Sequence, residues 1–209
     1  MLNNLLSALS YAEKHPNTRT VATLLFTLFF SACSVTPDNL PSSNKELNPG
    51  TNKLYVDAVF EMKSGNTKSA QLLLTKVIQQ QPDFSNAHVN LGILYIKMNM
   101  FEKAETSMQQ ALKISPDNIY ALNQQGFLYR RKGDFSNAKA SYEKAINIES
   151  GYANAHLNLG ILYDLYLYNL EKAIKQYKIY NDLSKGNDQQ VSKWIVDLER
   201  RQQNALSKK

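Results

Sequence analysis

One nine-residue segment occurs twice in the sequence with a single difference. Residues 87–95 read AHVNLGILY, and residues 155–163 read AHLNLGILY. A looser copy, ALNQQGFLY, occupies residues 121–129, so that consecutive copies stand 34 positions apart. A fixed period of this length is typical of solenoids, in which each repeat is a supersecondary unit that buries its apolar face only against its neighbours. The period therefore predicts a stack of similar units.

Composition indicates that these units are helical. The 209 residues include only 8 glycines and 6 prolines, and 43% of them are hydrophobic and 20% charged. Few glycines and prolines favour helices over a loop-rich β fold, and the hydrophobic share is that of a globular protein. The net charge of +6 is mildly basic and does not by itself identify a partner.

The repeat markers divide the chain into units over residues 51–84, 85–118, 119–152 and 153–186. Each unit is predicted to be a pair of amphipathic helices. In the second unit, Ala104, Met108 and Ala111 recur at i, i+4 and i+7, on one face of the second helix. Pro116 follows, where a helix cannot continue. The first unit has Glu61 where later units have tyrosine, and terminal repeats are commonly atypical.

Small residues recur where the two helices of a unit are predicted to meet. The spacing predicts a close approach of the helices, and a larger side chain would overpack the junction by about 1–3 kcal/mol. The predicted pairs of facing small residues are Gly92, Gly126 and Gly160 on the first helices and Ala104, Ala138 and Ala173 on the second helices.

Taken together, these residues resemble tetratricopeptide repeats, and the resemblance covers residues 51 to about 185. It implies an all-α fold, a right-handed α-solenoid of about four helix pairs followed by a C-terminal capping helix over residues 187–209. Trp194 is predicted to cover the apolar surface of the last repeat. A role of this basic helix at a membrane surface is the alternative. The predicted apolar stripe of the capping helix comprises Val191, Trp194, Ile195, Leu198 and Ala205.

The turn of the fourth unit, residues 164–169, contains an extra residue and no glycine. Tyr166 and Tyr168 make this turn unusually aromatic. Two interpretations remain open for the aromatic turn, which are packing at the end of the solenoid and an exposed interaction patch.

The N-terminal segment has the pattern of a secretory signal peptide over residues 1–32. An apolar run of ten residues, VATLLFTLFF at positions 21–30, is too short to span a bilayer comfortably. The sole cysteine, Cys33, follows two small residues, and FSAC at positions 30–33 resembles the lipobox of bacterial lipoproteins. That resemblance implies lipidation of Cys33. The alternative is an ordinary signal peptide or an uncleaved anchor with an incidental cysteine.

The lipobox resemblance also implies a location. Ser34 follows the cysteine, and a residue other than Asp there implies the periplasmic face of the outer membrane rather than the inner membrane. Residues 33–50, rich in proline, serine and asparagine, are predicted to be a lipidated flexible linker. The folded part would thus be tethered to the membrane by acyl chains without lying on it.

The sequence contains no pattern of residues typical of catalysis. It lacks a glycine-rich phosphate loop, an HExxH motif and a Cys–His pair in the repeats. His88 and His156 occupy the same place two repeats apart, so they cannot share one metal ion. Acidic residues are expected on solvated helix surfaces. We therefore expect no enzymatic activity, no metal and no cofactor.

The resemblance to tetratricopeptide repeats implies a concave groove lined by the first helix of each unit. Asn90, Gln124 and Asn158 form a ladder of amides that could bond to the main chain of an extended peptide. Lys97, with two arginines, adds positive charge at one edge, which favours an acidic segment or a C-terminal carboxylate. The expected groove positions are Tyr55, Val56, Val59, Asn86, Val89, Asn90, Ile93, Lys97, Tyr120, Asn123, Gln124, Phe127, Arg130, Arg131, Asn154, Leu157, Asn158 and Ile161.

For the apolar members of this set, burial between adjacent repeats is the alternative. The function predicted from these features is a membrane-anchored scaffold that binds a protein or peptide segment and assists an envelope complex, of the type IV pilus secretin kind or associated with TonB. The alternatives are an adaptor that regulates a periplasmic peptidase or peptidoglycan hydrolase, and a structural homo-oligomer. No nucleic-acid partner is expected for an exported protein, and the oligomeric state stays open.

Overall fold

The computed structural model describes residues 47–207, which form nine α-helices and no strand. The predicted signal peptide, Cys33 and most of the linker lie outside the described residues. The helices, in chain order, are α1 (Pro49–Lys63), α2 (Thr67–Gln80), α3 (Ser85–Lys97), α4 (Phe101–Ile114), α5 (Ile119–Lys132), α6 (Phe135–Ile148), α7 (Ala153–Leu165), α8 (Leu170–Leu183) and α9 (Gln189–Leu206).

The first eight helices pack as four pairs, and each pair contacts the next. We call α1, α3, α5 and α7 the inner helices, and α2, α4, α6 and α8 the outer helices. Neighbouring inner helices contact each other, whereas neighbouring outer helices do so at most weakly. The first three outer helices contact the inner helix that follows them. Because the inner helices are the closer together, their free surface is the concave one, as the sequence predicts.

Local signals explain where the helices begin and end. The side chain of Asn48 accepts a hydrogen bond from the Thr51 amide at 2.8 Å, and Pro49 follows it, so α1 begins at residue 49 rather than 51. Asn99 adopts φ 58° in the turn between α3 and α4, a conformation that asparagine tolerates. In the turn of the fourth unit, Tyr168 takes φ 51° where no glycine is present.

The glycine at each helix junction makes the close approach that its spacing predicts. The nearest atom to an added Cβ belongs in each case to a large side chain of the outer helix. A methyl group there would force those side chains to move. Of the alanines expected from the sequence, only Ala104 is among the nearest neighbours, with its carbonyl oxygen 3.3 Å from a Cβ at Gly92. The contacts of such a Cβ are Gly92 with Met108, Gly126 with Tyr142 at 2.5 Å, and Gly160 with Tyr177 at 2.6 Å.

The last helix, α9, covers the end of the solenoid. Val191 and Leu198 are buried, and α9 contacts α8. The Trp194 ring lies 5.6 Å from the ring of Tyr177, between centroids, so the tryptophan packs on the last repeat as predicted. Ala205 is exposed, so its place in the apolar stripe was wrong. Among the described residues, no helix has the length and apolarity needed to cross a membrane.

Candidate functional site

The predicted amide ladder lies inside the solenoid. Asn90, Gln124 and Asn158 are only 2%, 3% and 4% exposed. The Nδ2 atom of Asn90 donates to the hydroxyl of Tyr55 at 3.0 Å, in the preceding repeat. Burial raises the pKa of the Tyr55 hydroxyl, and the bond from Asn90 opposes part of that increase, so the phenol stays protonated.

The fourth repeat uses the same arrangement with a different partner. Nδ2 of Asn158 donates at 3.0 Å to Oδ1 of Asn123, an inner-helix residue of the third repeat. These amides therefore join the inner helices of consecutive repeats. An incoming peptide would compete with bonds already made, and peptide binding by the ladder stays a prediction.

A second polar network joins the second and third repeats through Asn118. Its Oδ1 accepts hydrogen bonds from the amides of Tyr120 and Ala121, which caps the start of α5. Its Nδ2 donates to Ser85 and to Asn86, each at 3.0 Å. Asn86 is thus a structural neighbour of this cap, and it is 1% exposed. The sequence analysis missed Asn118, although an asparagine immediately before a predicted helix is the usual N-cap signal.

The predicted groove residues divide by accessibility into two groups. For Val89 and Ile93, 1% and 2% exposed, the alternative of burial between repeats is the observed one. The buried groove positions are Tyr55, Asn86, Val89, Asn90, Ile93, Asn123, Gln124, Arg130, Leu157 and Asn158. Val56 and Tyr120 keep a solvent-facing surface, and so do Val59, Lys97, Phe127, Arg131, Asn154 and Ile161. We call the latter six residues the open inner face.

Arg130 is a buried cation held between two aromatic rings. Its guanidinium carbon lies 5.6 Å from the centroid of Phe127 and 6.0 Å from that of Tyr166. The residue is 4% exposed, and its Nη1 has no hydrogen-bond partner among residues 47–207. Tyr166, from the aromatic turn, thereby packs on the third repeat, where its ring also lies 4.9 Å from that of Phe135, which supports the packing interpretation for that residue.

The neighbouring Arg131 is exposed, and its guanidinium carbon lies 3.5 Å from the ring centroid of Phe101. Desolvation lowers the pKa of Arg131 from its usual value. A guanidinium remains charged at neutral pH after a modest decrease of this kind. The stacking holds this cation against the first residue of the outer helix α4.

Comparisons with known proteins agree with this geometry. A family model described as tetratricopeptide repeat matches residues 61–124, and another described as TPR repeat matches residues 126–164. The chain contains tetratricopeptide repeats. Such repeats are generally non-catalytic modules that bind proteins. No curated protein matches the chain.

Solved structures share the tetratricopeptide-repeat fold at low sequence identity. The structure described as the functional characterization of Pseudomonas aeruginosa pilF is 18% identical, covers 75% of this chain and 70% of that chain, and has a TM-score of 0.66. MamA from Desulfovibrio magneticus RS-1 is 17% identical over 78% and 90%, with a TM-score of 0.62. An O-GlcNAc transferase mutant of Thermobaculum terrenum is 20% identical over 63% and 26%, with a TM-score of 0.59.

Within the tetratricopeptide repeats, the two histidines hold the loop that precedes their own repeat. Nε2 of His88 lies 3.0 Å from the carbonyl oxygen of Pro82, and Nε2 of His156 lies 3.0 Å from that of Ser150. His156 also contacts Oε1 of Gln176 through Nδ1 at 2.7 Å. The histidines therefore have a structural role, and no group of three potential metal ligands occurs in the described part of the chain.

Asp164 is an exception to the expected surface location of acidic residues in this domain. Its side chain is 13% exposed and lies 3.8 Å from Nη1 of Arg201 on the capping helix. Burial raises the pKa of Asp164 to about 6, while Arg201 and a hydrogen bond from Tyr177 act in the opposite direction. Asp164 lies one 34-residue period after Arg130. The sequence period alone therefore shows that an acidic residue replaces an arginine at this position of the fourth repeat.

Proposed function

We propose that this chain is a scaffold of the bacterial envelope, anchored by a lipid at Cys33, that binds a segment of a partner protein on its open inner face. The observation that carries the proposal is the composition of that face. Apolar and cationic side chains, such as Phe127, Ile161 and Lys97, remain accessible there. Beneath them, the Nδ2 atoms of Asn90 and Asn158 already donate to the neighbouring repeat. Accessible side chains on helices that are already joined by hydrogen bonds are preorganised, which lowers the entropic cost of binding a protein segment.

The N-terminal sequence supports the envelope location. The apolar run at 21–30 and the FSAC tetrapeptide at 30–33 resemble a lipoprotein signal, and Ser34 fits the outer membrane by the same resemblance. About 17 flexible linker residues would span on the order of 20–25 Å. The repeats would then assist assembly or operation of an envelope complex, such as a secretin or a TonB-associated system, within reach of the membrane.

Photocrosslinking in cells tests the binding face. A photoreactive amino acid replaces the half-buried Phe127 on the inner helix α5, and the control replaces Thr106, which is exposed on the outer helix α4. We expect Phe127 to capture one identified envelope protein that Thr106 does not capture. Absence of a crosslink at Phe127, or equal capture at both positions, would contradict the proposal. Capture of a peptidase or peptidoglycan hydrolase would support the adaptor alternative instead.

A second candidate, the homo-oligomer, is favoured by the exposed apolar end of the solenoid. Val56 and Phe60 on α1 are 56% and 64% exposed. At the position of Phe60 the later repeats have Leu94, Leu128 and Leu162, all at most 5% exposed because a preceding repeat covers them. Two copies could cover each other's α1. Self-crosslinking from Phe60, with none from Thr106, is the outcome expected for this candidate.

A further inference from the structure

We infer that the segment bound on the open inner face is acidic and extended, and that Lys63, Lys97 and Arg131 bind its side-chain carboxylates. This inference rests on the proposed function and specifies the partner's chemistry. The three cations occupy the same place in three consecutive repeats, 34 residues apart, at the C-terminal ends of inner helices. All three are exposed. None forms an ion pair with another residue of the 47–207 segment. We call these three residues the basic ladder.

The charges of the two central inner helices are segregated by sign. Helices α3 and α5 contain Lys97, Arg130, Arg131 and Lys132 and no aspartate or glutamate. Their outer partners, α4 and α6, contain residues of both signs. Of the four cations, only Lys132 is paired, with Glu105 at 2.5 Å. Helices α3 and α5 therefore present positive charge that no acidic residue of their own neutralises. Helix α1, which contains Lys63, also contains Asp57 and Glu61.

Complementing the helix dipole does not account for this distribution. A cation in the last turn stabilises a helix by about 0.3–1 kcal/mol, and that benefit is equally available to outer helices. Basic residues occur in the last turns of three of the four inner helices, α1, α3 and α5, but of only one outer helix, α4, which has Lys113. Basic residues in the last turn are therefore more frequent on the inner helices, whose free surface is where a ligand would lie.

The spacing of the basic ladder suits an extended chain. Packed helices have axes about 8–10 Å apart, and an extended chain advances about 3.3 Å per residue. An acidic side chain at about every third residue, or a continuous acidic run, would therefore meet one cation in each repeat. Coulombic attraction between exposed partners is individually small, so the ladder acts through three contacts made together.

The ladder ends at the third repeat. Beside Arg131, Arg130 is buried and its Nη1 has no partner in the described structure, so Arg130 is not a member of the basic ladder. In the fourth repeat the positions of Arg130 and Arg131 are taken by Asp164 and Leu165. A carboxyl group and an apolar side chain there would not attract further acidic residues, so the acidic part of the partner is expected to lie along the first three repeats.

Fluorescence anisotropy with the full chain tests the inference, using fluorescein-labelled deca-glutamate with an amidated C-terminus. The test variant combines Lys63→Gln, Lys97→Gln and Arg131→Gln. The matched control combines Lys76→Gln, Lys113→Gln and Lys175→Gln, three exposed lysines of outer helices, and has the same change in net charge. We expect the test variant to bind about tenfold more weakly than the unmodified chain, as three exposed charge pairs predict, and the control to bind within about twofold.

Circular dichroism confirms that both variants are folded before binding is compared. An equal loss of affinity for deca-glutamate in the two variants would overturn the inference. So would equal affinity of the unmodified chain for deca-glutamate and deca-glutamine. Tighter binding of deca-glutamine with a free C-terminus would reassign the site to a terminal carboxylate, and tighter binding of deca-thymidylate would reassign it to phosphate. If deca-glutamate fails while Phe127 still captures its envelope partner, only the acidic character is refuted and the proposed function stands.

Discussion

At the scale of single residues, the packing of three of the four helix pairs depends on a glycine that admits a large side chain. Gly126 lies against the ring of Tyr142, which is completely buried. The same pairing recurs in the second and fourth repeats with Met108 and Tyr177. A close-packed interior leaves no room for even one added methyl group.

We predict that Gly126→Ala destabilises the protein by about 1–3 kcal/mol, because the new Cβ would lie 2.5 Å from Cε1 of Tyr142. The control is Gly151→Ala, since nothing lies within 4 Å of a Cβ at that position. Urea denaturation monitored by circular dichroism measures both variants. A Gly126→Ala variant as stable as Gly151→Ala would contradict the packing of this junction.

The burial of Asp164 predicts a pH dependence of stability. Its folded-state pKa of about 6 exceeds the value of about 3.9 for an unfolded aspartate. Between these values the folded chain binds more protons than the unfolded chain, so this residue's contribution to the free energy of unfolding falls as the pH rises from about 4 to 6.

Asp164→Asn should therefore have little effect near pH 4 and stabilise the protein relative to the unmodified chain above pH 6, by on the order of 2 kcal/mol. Denaturant titrations at several pH values give the difference in the free energy of unfolding. Asp182→Asn, at an exposed position of α8, serves as the control. A difference that does not change with pH would show that the ion pair with Arg201 balances the cost of burial, so that the pKa is not raised.

At the scale of the helices, polar side chains join one repeat to the next. Asn118 caps α5 and at the same time donates to Ser85 and Asn86 of the preceding repeat. Asn90 and Asn158 make comparable bonds between inner helices. Hydrogen bonds fix a more specific geometry than apolar contacts do, so these bonds set the orientation of successive inner helices.

We predict that Asn118→Ala costs about 2 kcal/mol or more, because it removes a helix cap and leaves buried polar partners unsatisfied. Asn154→Ala, at a half-buried inner position with no such network, should change the free energy of unfolding by less than about 0.5 kcal/mol. Thermal and denaturant unfolding give the change in the free energy of unfolding for each variant. Equal effects would mean that the network does not hold the second and third repeats together.

At the scale of the whole molecule, the repeats and the N-terminal segment have separate roles in the proposal. The solenoid binds, and Cys33 and the linker determine where binding takes place. A lipid anchor with two or more acyl chains holds a protein stably on a bilayer, whereas the folded repeats have no membrane-spanning helix in the described part.

Cys33→Ala is accordingly expected to abolish fatty-acid labelling in cells and to release the protein from the membrane fraction. Ser34→Ala, beside the cysteine, is the control that should keep the label. Both are measured by metabolic labelling and membrane fractionation. Membrane retention of an unlabelled wild-type chain would contradict the lipid anchor.

Much of this fold could be predicted because the same packing problem recurs every 34 residues. Gly92, Gly126 and Gly160 each meet one large side chain, so a local spacing repeats wherever the contact repeats. The N-cap Asn118 likewise leaves a local signal before its helix. Four helix pairs and a capping helix thus follow from the sequence, including the concave position of the first helix of each pair.

Only the tertiary structure decided which side chains of the inner helices bond to a neighbouring repeat and which remain available to a partner. Asn90 and Asn158 have the chemistry of peptide ligands, yet their Nδ2 atoms donate to neighbouring repeats. Arg130 and Arg131 are adjacent in sequence, but one is buried and the other exposed. The physical reason is that period and residue type determine which helix a side chain belongs to, whereas the distance to the next repeat determines whether its hydrogen bonds and charge remain available to a partner.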